Sequence, residues 1–246
     1  FRHLHFNGPF ELQLTEHDSV RLYSWGNRVE NELFWRGMRG HEGRERKAWI
    51  DMVSGGGDIL DVGANTGTYA FIAKAISPSS RVVAFEPLAR IAQRIEKNTT
   101  TSGLQVQVEC QAVAESVSNM TLYDPGGENA YSASLEPDFL PGQQARYSVP
   151  VTTIDHYCLQ ENLHPTAIKI DVEGSEGRVL LGASDTIAKR QVKILCEWLG
   201  ETDSHTAALA MLKHNGYVAY DVNDHSEIQL DDTPARRNRI VLLVPV

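Results

Sequence analysis

The residues with the clearest chemical potential lie in a short turn between an apolar run and a helical pattern. The stretch ILDVGANTGTYAFIAKA, residues 59–75, places Gly63 and Gly67 four residues apart, with Asn65 between them. Glycine passes through positive φ without steric cost and lets a ligand approach the main chain. The dinucleotide fingerprint Gly-x-Gly-x-x-Gly needs a glycine where Asn65 stands, and its third glycine is also missing. The turn therefore fits a nucleoside better than a diphosphate.

Two carboxylates accompany this turn. Glu86 ends the strand-like stretch VVAFEP, 23 residues after Gly63, close to the spacing of about 20 residues at which an acidic side chain binds a ribose diol. Asp61 opens the turn, and we expect its carboxylate to face the amino group of a bound methionyl cofactor, directly or through water. Its alternative role is to cap the next helix. An acidic lining suits a ligand with a sulfonium and an ammonium, which predicts S-adenosylmethionine.

A second acidic cluster follows two later strand patterns. Asp171 and Glu173 end the run AIKIDVEG, and Glu197 ends VKILCEW. Ligands bind beyond the carboxyl ends of parallel strands, so these three catalytic candidates should share a rim with Gly63 and Glu86. Methyl transfer to a hydroxyl needs positioning and a general base, for which Asp171 or Glu173 is a candidate. Alternatively, Asp171 and Glu197 hold a divalent cation such as Mg²⁺ that acidifies the hydroxyl. The residue types leave both open.

Histidine is the other usual base, and the sequence offers weaker candidates of this kind. His156 and His225 lie near predicted strand ends, where a structural or solvated role is the simpler interpretation. His205 and His214 fall on an amphipathic helical pattern and are expected to be exposed.

The composition describes a globular protein rather than a polyanion binder. The 246 residues are 41% hydrophobic and 22% charged, with a net charge of −9, which argues against nucleic-acid binding. No apolar run reaches the roughly 18 residues of a membrane span. The three cysteines have no paired spacing, which favours a reducing, cytoplasmic setting. Of these, Cys110 and Cys196 are expected to be buried.

The elements that must position these residues alternate between strand and helix after residue 45. This order predicts an α/β fold, a parallel sheet with helices on both faces. Residues 1–45 form an N-terminal extension or lid that leads into a helix near 46–53, and residues 46–246 form the main domain.

Residues 117–153 carry turn signals and two alternating runs, which predict an inserted hairpin or flap. The last two strands should pair antiparallel. The predicted strands are Ile59–Val62, Arg81–Glu86, Val106–Val113, Ala167–Val172, Val192–Trp198, Tyr217–Val222 and Arg239–Val246.

The motifs ILDVGANTGTYAFIAKA, VVAFEPLARI, VPVTTIDHY, IKIDVEGSEGRVLLGA and ILCEW, in this order, closely resemble the FkbM-type methyltransferases, a branch of the class I S-adenosylmethionine fold. The likeness covers roughly residues 42–246. It implies a Rossmann-like sheet of seven strands whose last strand is antiparallel. It also implies O-methylation, typically of a hydroxyl on a sugar, glycolipid or polyketide-type product. The cofactor contacts that it implies are Asp61, Gly63, Ala64, Asn65, Gly67, Glu86 and Asp171, with adenine packing near Gln111, Ala112 and Val113.

The residues leave the metal, the acceptor and the role of the N-terminal segment open. Catechol-type relatives place metal ligands where Asp171 and Glu197 stand, but they often continue with Asp-Asp or Asp-Asn, whereas Trp198 follows here. The acceptor is expected to be a small molecule or a glycan, and residues 1–41 are a substrate lid or a homo-oligomer contact. The rival functions are a nicotinamide-dependent oxidoreductase and a binding or scaffold protein that has lost catalysis.

Overall fold

The computed structural model describes residues 5–40, 42–126, 133–137, 139, 141–142, 144–199, 202–230 and 239–246. The strands are β1 Asn7–Gln13, β2 Ser19–Trp25, β3 Asp58–Val62, β4 Arg81–Phe85, β5 Gln107–Glu109, β6 Ala112–Val113, β7 Ser118–Asp124, β8 Ala145–Thr152, β9 Pro165–Ile170, β10 Lys193–Trp198, β11 Tyr217–Asp221, β12 Glu227–Ile228 and β13 Arg239–Pro245. The helices are α1 Arg28–Arg36, α2 Gly43–Val53, α3 Thr68–Ile76, α4 Ala89–Ser102, α5 Ile154–Glu161, α6 Glu176–Leu181, α7 Ser184–Ala188 and α8 Asp203–His214.

A single large sheet organises the molecule, in the order β12-β11-β13-β10-β9-β3-β4-β5. Strands β10, β9, β3, β4 and β5 pair in parallel, whereas β13 runs antiparallel to both β10 and β11. The predicted Rossmann-like sheet with an antiparallel last strand is therefore confirmed. The two-residue β12 adds an eighth strand at the edge.

The central strands are mostly apolar because both faces of the sheet are covered. Successive side chains of a strand point to opposite faces. Accordingly, Leu60 packs with Ile168 and Ile194 on one face, while the adjacent Ile59 packs with Trp49 and other side chains on the opposite face. All of these side chains are buried. The two hydrophobic layers fix the level at which the strands end, and hence the position of the rim.

The prediction of one strand over Val106–Val113 is wrong. The Gln111 N–H donates to the Glu109 carbonyl at 2.9 Å, and this tight turn separates β5, which pairs with β4, from β6, which pairs with β8. The polar run Glu109–Gln111 breaks the apolar pattern at that point. Cys110 lies in the turn and is exposed, contrary to expectation, whereas Cys196 is buried as predicted.

The predicted hairpin in residues 117–153 is present. Strands β7 and β8 pair antiparallel from Ser118↔Val151 to Asp124↔Ala145, and β6 joins them in a three-stranded sheet. The turn predicted at residues 124–127 is described only in part, because Gly127 lies outside the described residues.

The N-terminal extension packs onto the main sheet's helices. Strands β1 and β2 form an antiparallel hairpin, and the Tyr23 N–H donates to Asn98 Oδ1 of α4 at 2.7 Å. Helix α2 begins at Gly43, three residues before the predicted start. Across the described ranges, no helix combines the length and apolar character needed to cross a membrane.

Candidate functional site

The turn between β3 and α3 is built around Gly63, which lies at φ +80°. A Cβ at this position would lie 1.8 Å from the carbonyl oxygen of Asp171, so no side chain fits. The neighbouring strand ends meet here, because the Asp171 N–H donates to the Val62 carbonyl at 3.0 Å. Glycine is therefore required at position 63 because the ends of β3 and β9 are in contact there, whether or not a ligand also binds.

Gly67 has a related but separate reason to be glycine. It lies at φ +83°, and a Cβ would approach Ile95 and the Phe71 ring to 3.0 Å. Gly67 is the N-cap of α3 and is absent from the walls of the two cavities described below. It shapes the turn that presents Ala64 and Asn65, and its direct contact with a cofactor stays a prediction.

Glu86 lies directly beyond β4 and faces the same turn. Its Oε2 accepts the Asn65 N–H at 3.0 Å, and its Oε1 accepts the Leu88 N–H at 2.9 Å. Burial raises the pKa of Glu86 to about 7 despite these bonds. Each carboxylate oxygen has a second lone pair, so two hydroxyl groups can still donate to this side chain.

Asp61 is buried at the end of β3. The Ala70 N–H of α3 donates to its Oδ2 at 2.8 Å, so the helix-capping alternative is realised for one oxygen. The side chain also lines the second cavity. Burial raises the pKa of Asp61 to about 7, which means that a cationic ligand would stabilise its ionised form.

Two adjoining cavities open at the carboxyl ends of the parallel strands. They share the walls formed by Gly63, Asn65, Asp171 and Glu173. The first spans about 560 Å³, including the solvent at its mouth, and its lining includes Glu86, Gln111, Ala112, Val113, Leu122 and Leu135. The second spans about 1270 Å³, again including the solvent at its mouth, and its lining includes Asp61, Ala64, Tyr69, Lys169, Glu197 and Glu42. Arg28, Val29 and Glu32 of the N-terminal extension complete the second cavity.

The three predicted catalytic carboxyl groups lie together in the second cavity. Asp171 and Glu197 are hydrogen-bonded to each other. Burial, followed by the charge of Asp171, raises the pKa of Glu197 far above its usual value, which favours Glu197 as the donor of this bond. Burial and the same Asp171 raise the pKa of Glu173 to about 8. The pKa of Glu173 therefore lies close enough to neutrality for this carboxyl group to exchange a proton.

The inserted hairpin holds the chain around Glu173. The residue lies in the left-handed region, at φ +54°, and its carbonyl accepts the Ser134 hydroxyl at 2.5 Å. The next residue, Gly174, has no room for a side chain because a Cβ would lie 2.7 Å from the Phe139 ring. The insertion thus closes one side of the first cavity, where Leu135 contributes to the wall.

Sequence reasoning missed Lys169, which lies two residues before Asp171 on β9. Its side chain is 1% exposed and forms ion pairs with Asp171 Oδ2 at 3.0 Å and Glu45 Oε1 at 3.2 Å. Burial alone would lower the pKa of Lys169, but Asp171 and Glu45 raise it well above its usual value. A lysine inside an otherwise apolar strand run was the signal available in the sequence.

The alternative of a divalent cation held by Asp171 and Glu197 does not fit these side chains. Mg²⁺ requires about six oxygen ligands at 2.0–2.1 Å, whereas Asp171 is already engaged by the Lys169 ammonium and by the Glu197 carboxyl group. Within the described residues, no group of three or more His, Cys, Asp or Glu side chains is arranged to hold a metal ion.

The histidines of the described ranges stand apart from the cavities. His156 and His225 are exposed, and no histidine in the described ranges lines either cavity. The prediction that His205 is exposed is wrong, because it is buried and its Nε2 lies 2.9 Å from Glu176 Oε2. Thr202 caps the same helix through this histidine. His214 is exposed, as predicted.

The sequence that builds this site matches a known family. A model for the "Methyltransferase FkbM domain" matches residues 61–219, more than half of the chain. The chain belongs to the FkbM methyltransferase family. The FkbM match begins at Asp61 and includes Glu86, Lys169, Asp171 and Glu197, so the cavity walls contributed by the strand ends lie within the family domain.

A curated relative and two solved structures resemble this FkbM chain. AmbE of Pseudomonas aeruginosa, an "AMB antimetabolite synthetase", is 29% identical over 198 residues, which are 65% of this chain but 9% of AmbE. An FkbM methyltransferase of Methylobacillus flagellatus KT is 18% identical, with a TM-score of 0.48 over 76% of this chain and 43% of that one. A SAM-dependent methyltransferase of Agrobacterium tumefaciens is 8% identical, with a TM-score of 0.48 over 99% of this chain and 71% of that one.

Proposed function

We propose that this FkbM domain is an S-adenosylmethionine-dependent O-methyltransferase that acts on a hydroxyl group of a small molecule or glycan. The observation that carries the proposal is the pair of adjoining cavities, which share Gly63, Asn65, Asp171 and Glu173. One cavity has the side chains for a nucleoside, and the other has a base beside a fixed charge cluster. Methyl transfer needs both sites to meet at one point.

The first cavity fits the adenosine part of the cofactor. Glu86 offers acceptor positions for the two ribose hydroxyls, and Gln111, Ala112 and Val113 form a wall against which adenine can pack. Asp61, in the second cavity, accepts the Ala70 N–H through one oxygen and would pair with the methionyl ammonium. Asn65 occupies the position where a dinucleotide site needs glycine, which favours this cofactor over a nicotinamide dinucleotide.

Glu173 is the general base of the proposed reaction. Bound S-adenosylmethionine supplies an electrophilic methyl group on a sulfonium, and an acceptor hydroxyl displaces the thioether. Glu173 accepts the hydroxyl proton, because it lines both cavities and its pKa of about 8 lies near neutrality. Asp171 is less available, since its carboxylate is bound by Lys169 and Glu197. Glu197, protonated, holds Asp171 in place.

The acceptor enters through the second cavity, part of whose wall is the N-terminal extension. Acidic side chains outnumber basic ones in this lining: Glu32, Glu42, Asp61, Asp171, Glu173 and Glu197 face Arg28 and Lys169. A neutral or cationic hydroxyl compound is therefore favoured over a carboxylate or phosphate ester. Similarity to part of an antimetabolite synthetase supports a role in biosynthesis. Within that role, the proposed acceptor is a sugar, glycolipid or polyketide-type intermediate of secondary metabolism, methylated in the cytoplasm.

Calorimetric titration tests the cofactor choice. We expect S-adenosylmethionine and S-adenosylhomocysteine to bind with micromolar affinity and NAD⁺ to give no saturable heat, because the turn has asparagine where the diphosphate would approach. The bound protein is then incubated with methyl-labelled cofactor and a panel of hydroxylated compounds, and products are assigned by NMR. Binding of NAD⁺ with comparable affinity, or label found only on nitrogen or carbon, would refute the proposal.

A further inference from the structure

Lys169 carries a buried positive charge that the cofactor-binding residues do not explain. Its ammonium contacts Asp171 on one side and Glu45 of α2 on another, and the Tyr69 ring lies 4.6 Å away on a third. The ammonium donates a hydrogen bond to Asp171 Oδ2 at 3.0 Å, whereas its contacts with Glu45 and the Tyr69 ring are electrostatic. A base role would require Lys169 to lose the proton that these neighbours stabilise.

A cation at this point is needed by the surrounding carboxyl groups. Glu45 is buried, and Asp171, Glu197 and Glu42 also lie close enough to act electrostatically on the ammonium. Removing several carboxylates from water without a compensating positive charge is strongly unfavourable. In other proteins that bind methyl or phosphoryl substrates at carboxylate clusters, a divalent metal can provide such a charge.

We infer that the Lys169 ammonium is the fixed cation of this cavity, standing where a divalent metal would otherwise be bound, and that the FkbM domain therefore excludes such a metal. Lys169 is a positioning residue, since it acts through Asp171 and the Glu197 carboxyl group bonded to it. The catalytic consequence, methyl transfer without a metal, rests on the proposed function. The preference of the cavity for the Lys169 ammonium over a divalent metal does not depend on the proposed function.

Mn²⁺ binding, followed by electron paramagnetic resonance, tests this inference without any acceptor. The wild-type domain should show no Asp171-dependent Mn²⁺ site below about 1 mM, because the ammonium repels the metal and occupies Asp171. Lys169→Ala should gain a saturable site, at least about tenfold tighter than any wild-type binding, since Asp171 and Glu45 lose their cation. Adding Asp171→Asn to this variant should remove the gained site. Lys193→Ala, at an exposed position on β10, is the matched control and should gain nothing.

The alternative outcomes are decisive. An Asp171-dependent Mn²⁺ site in the wild-type domain, or a folded Lys169→Ala or Lys169→Met variant without new Mn²⁺ affinity, would overturn the inference. If neither variant folds, Mn²⁺ binding is compared between the wild-type domain and Asp171→Asn. A site in the wild type that Asp171→Asn removes would still overturn the inference. S-adenosylhomocysteine affinity is measured in parallel on the wild type. Its absence would contradict the proposed function while leaving the cation result intact.

Discussion

Replacing Glu86 with alanine is expected to weaken S-adenosylhomocysteine binding by about 100-fold or more. The wild-type carboxylate can accept two charge-assisted hydrogen bonds from the ribose hydroxyls, each contributing roughly 1.5–3 kcal/mol. The variant also leaves the N–H groups of Asn65 and Leu88 without the partner that orients the turn. Isothermal titration calorimetry measures the change directly, and circular dichroism confirms that the variant is folded.

The pH dependence of the same titration is a second test of the roles of Glu86 and Asp61. Burial raises the pKa values of Glu86 and Asp61 to about 7 in the cofactor-free protein. Hydroxyl donors and a cationic ligand favour the ionised carboxylates, so binding should release protons near pH 7 and affinity should fall as the pH is lowered through that value. Glu96→Ala, exposed on α4, should leave affinity and proton release unchanged. A folded Glu86→Ala variant with wild-type affinity would remove the ribose assignment.

Replacing Glu173 with glutamine is expected to reduce kcat by roughly 10²- to 10⁴-fold, the usual contribution of a general base. Glutamine keeps the size of the side chain in the strained turn at φ +54° but cannot accept the hydroxyl proton. S-adenosylhomocysteine affinity should change by less than about tenfold, because other groups bind the ribose and ammonium. The rate is measured with an acceptor from the labelled-methyl panel.

The pH profile distinguishes a base from a structural residue. With the pKa of Glu173 at about 8 in the cofactor-free protein, kcat/KM should rise with pH up to about 8 and then level off, since the ionised form is active. At saturating S-adenosylmethionine, this limb should vanish in Glu173→Gln. Glu227→Gln, an exposed position on β12, should keep both rate and profile. A Glu173→Gln enzyme with an unchanged acidic limb would assign the base elsewhere, with Asp171 next to be tested.

The sequence predicted the parts of the site that depend on local chemistry. The Gly63 turn and Glu86 could be paired from spacing alone, because strand ends of a parallel sheet share one rim. The structure brings them together with Asp171, Glu173 and Glu197. The antiparallel last strand was also accessible, since the segment before it has no helical period.

The parts that depend on distant contacts could not be predicted. Glu45 and Lys169 are 124 positions apart in the chain and meet only because α2 packs against the strand ends. The same limit explains His205, whose partner Glu176 lies on another helix. The split between β5 and β6 escaped for a different reason: a short polar interruption can lie within one strand or separate two strands of different sheets, and pairing with β8 decides.

A crystal structure of the domain with S-adenosylhomocysteine tests the shared-cavity account most directly. We predict that both ribose hydroxyls lie within about 3.2 Å of the Glu86 carboxylate oxygens, with adenine against Gln111–Val113 and the sulfur facing Glu173 across the shared wall. An adenosyl group bound elsewhere, or a sulfur turned away from Glu173 and Asp171, would contradict the account.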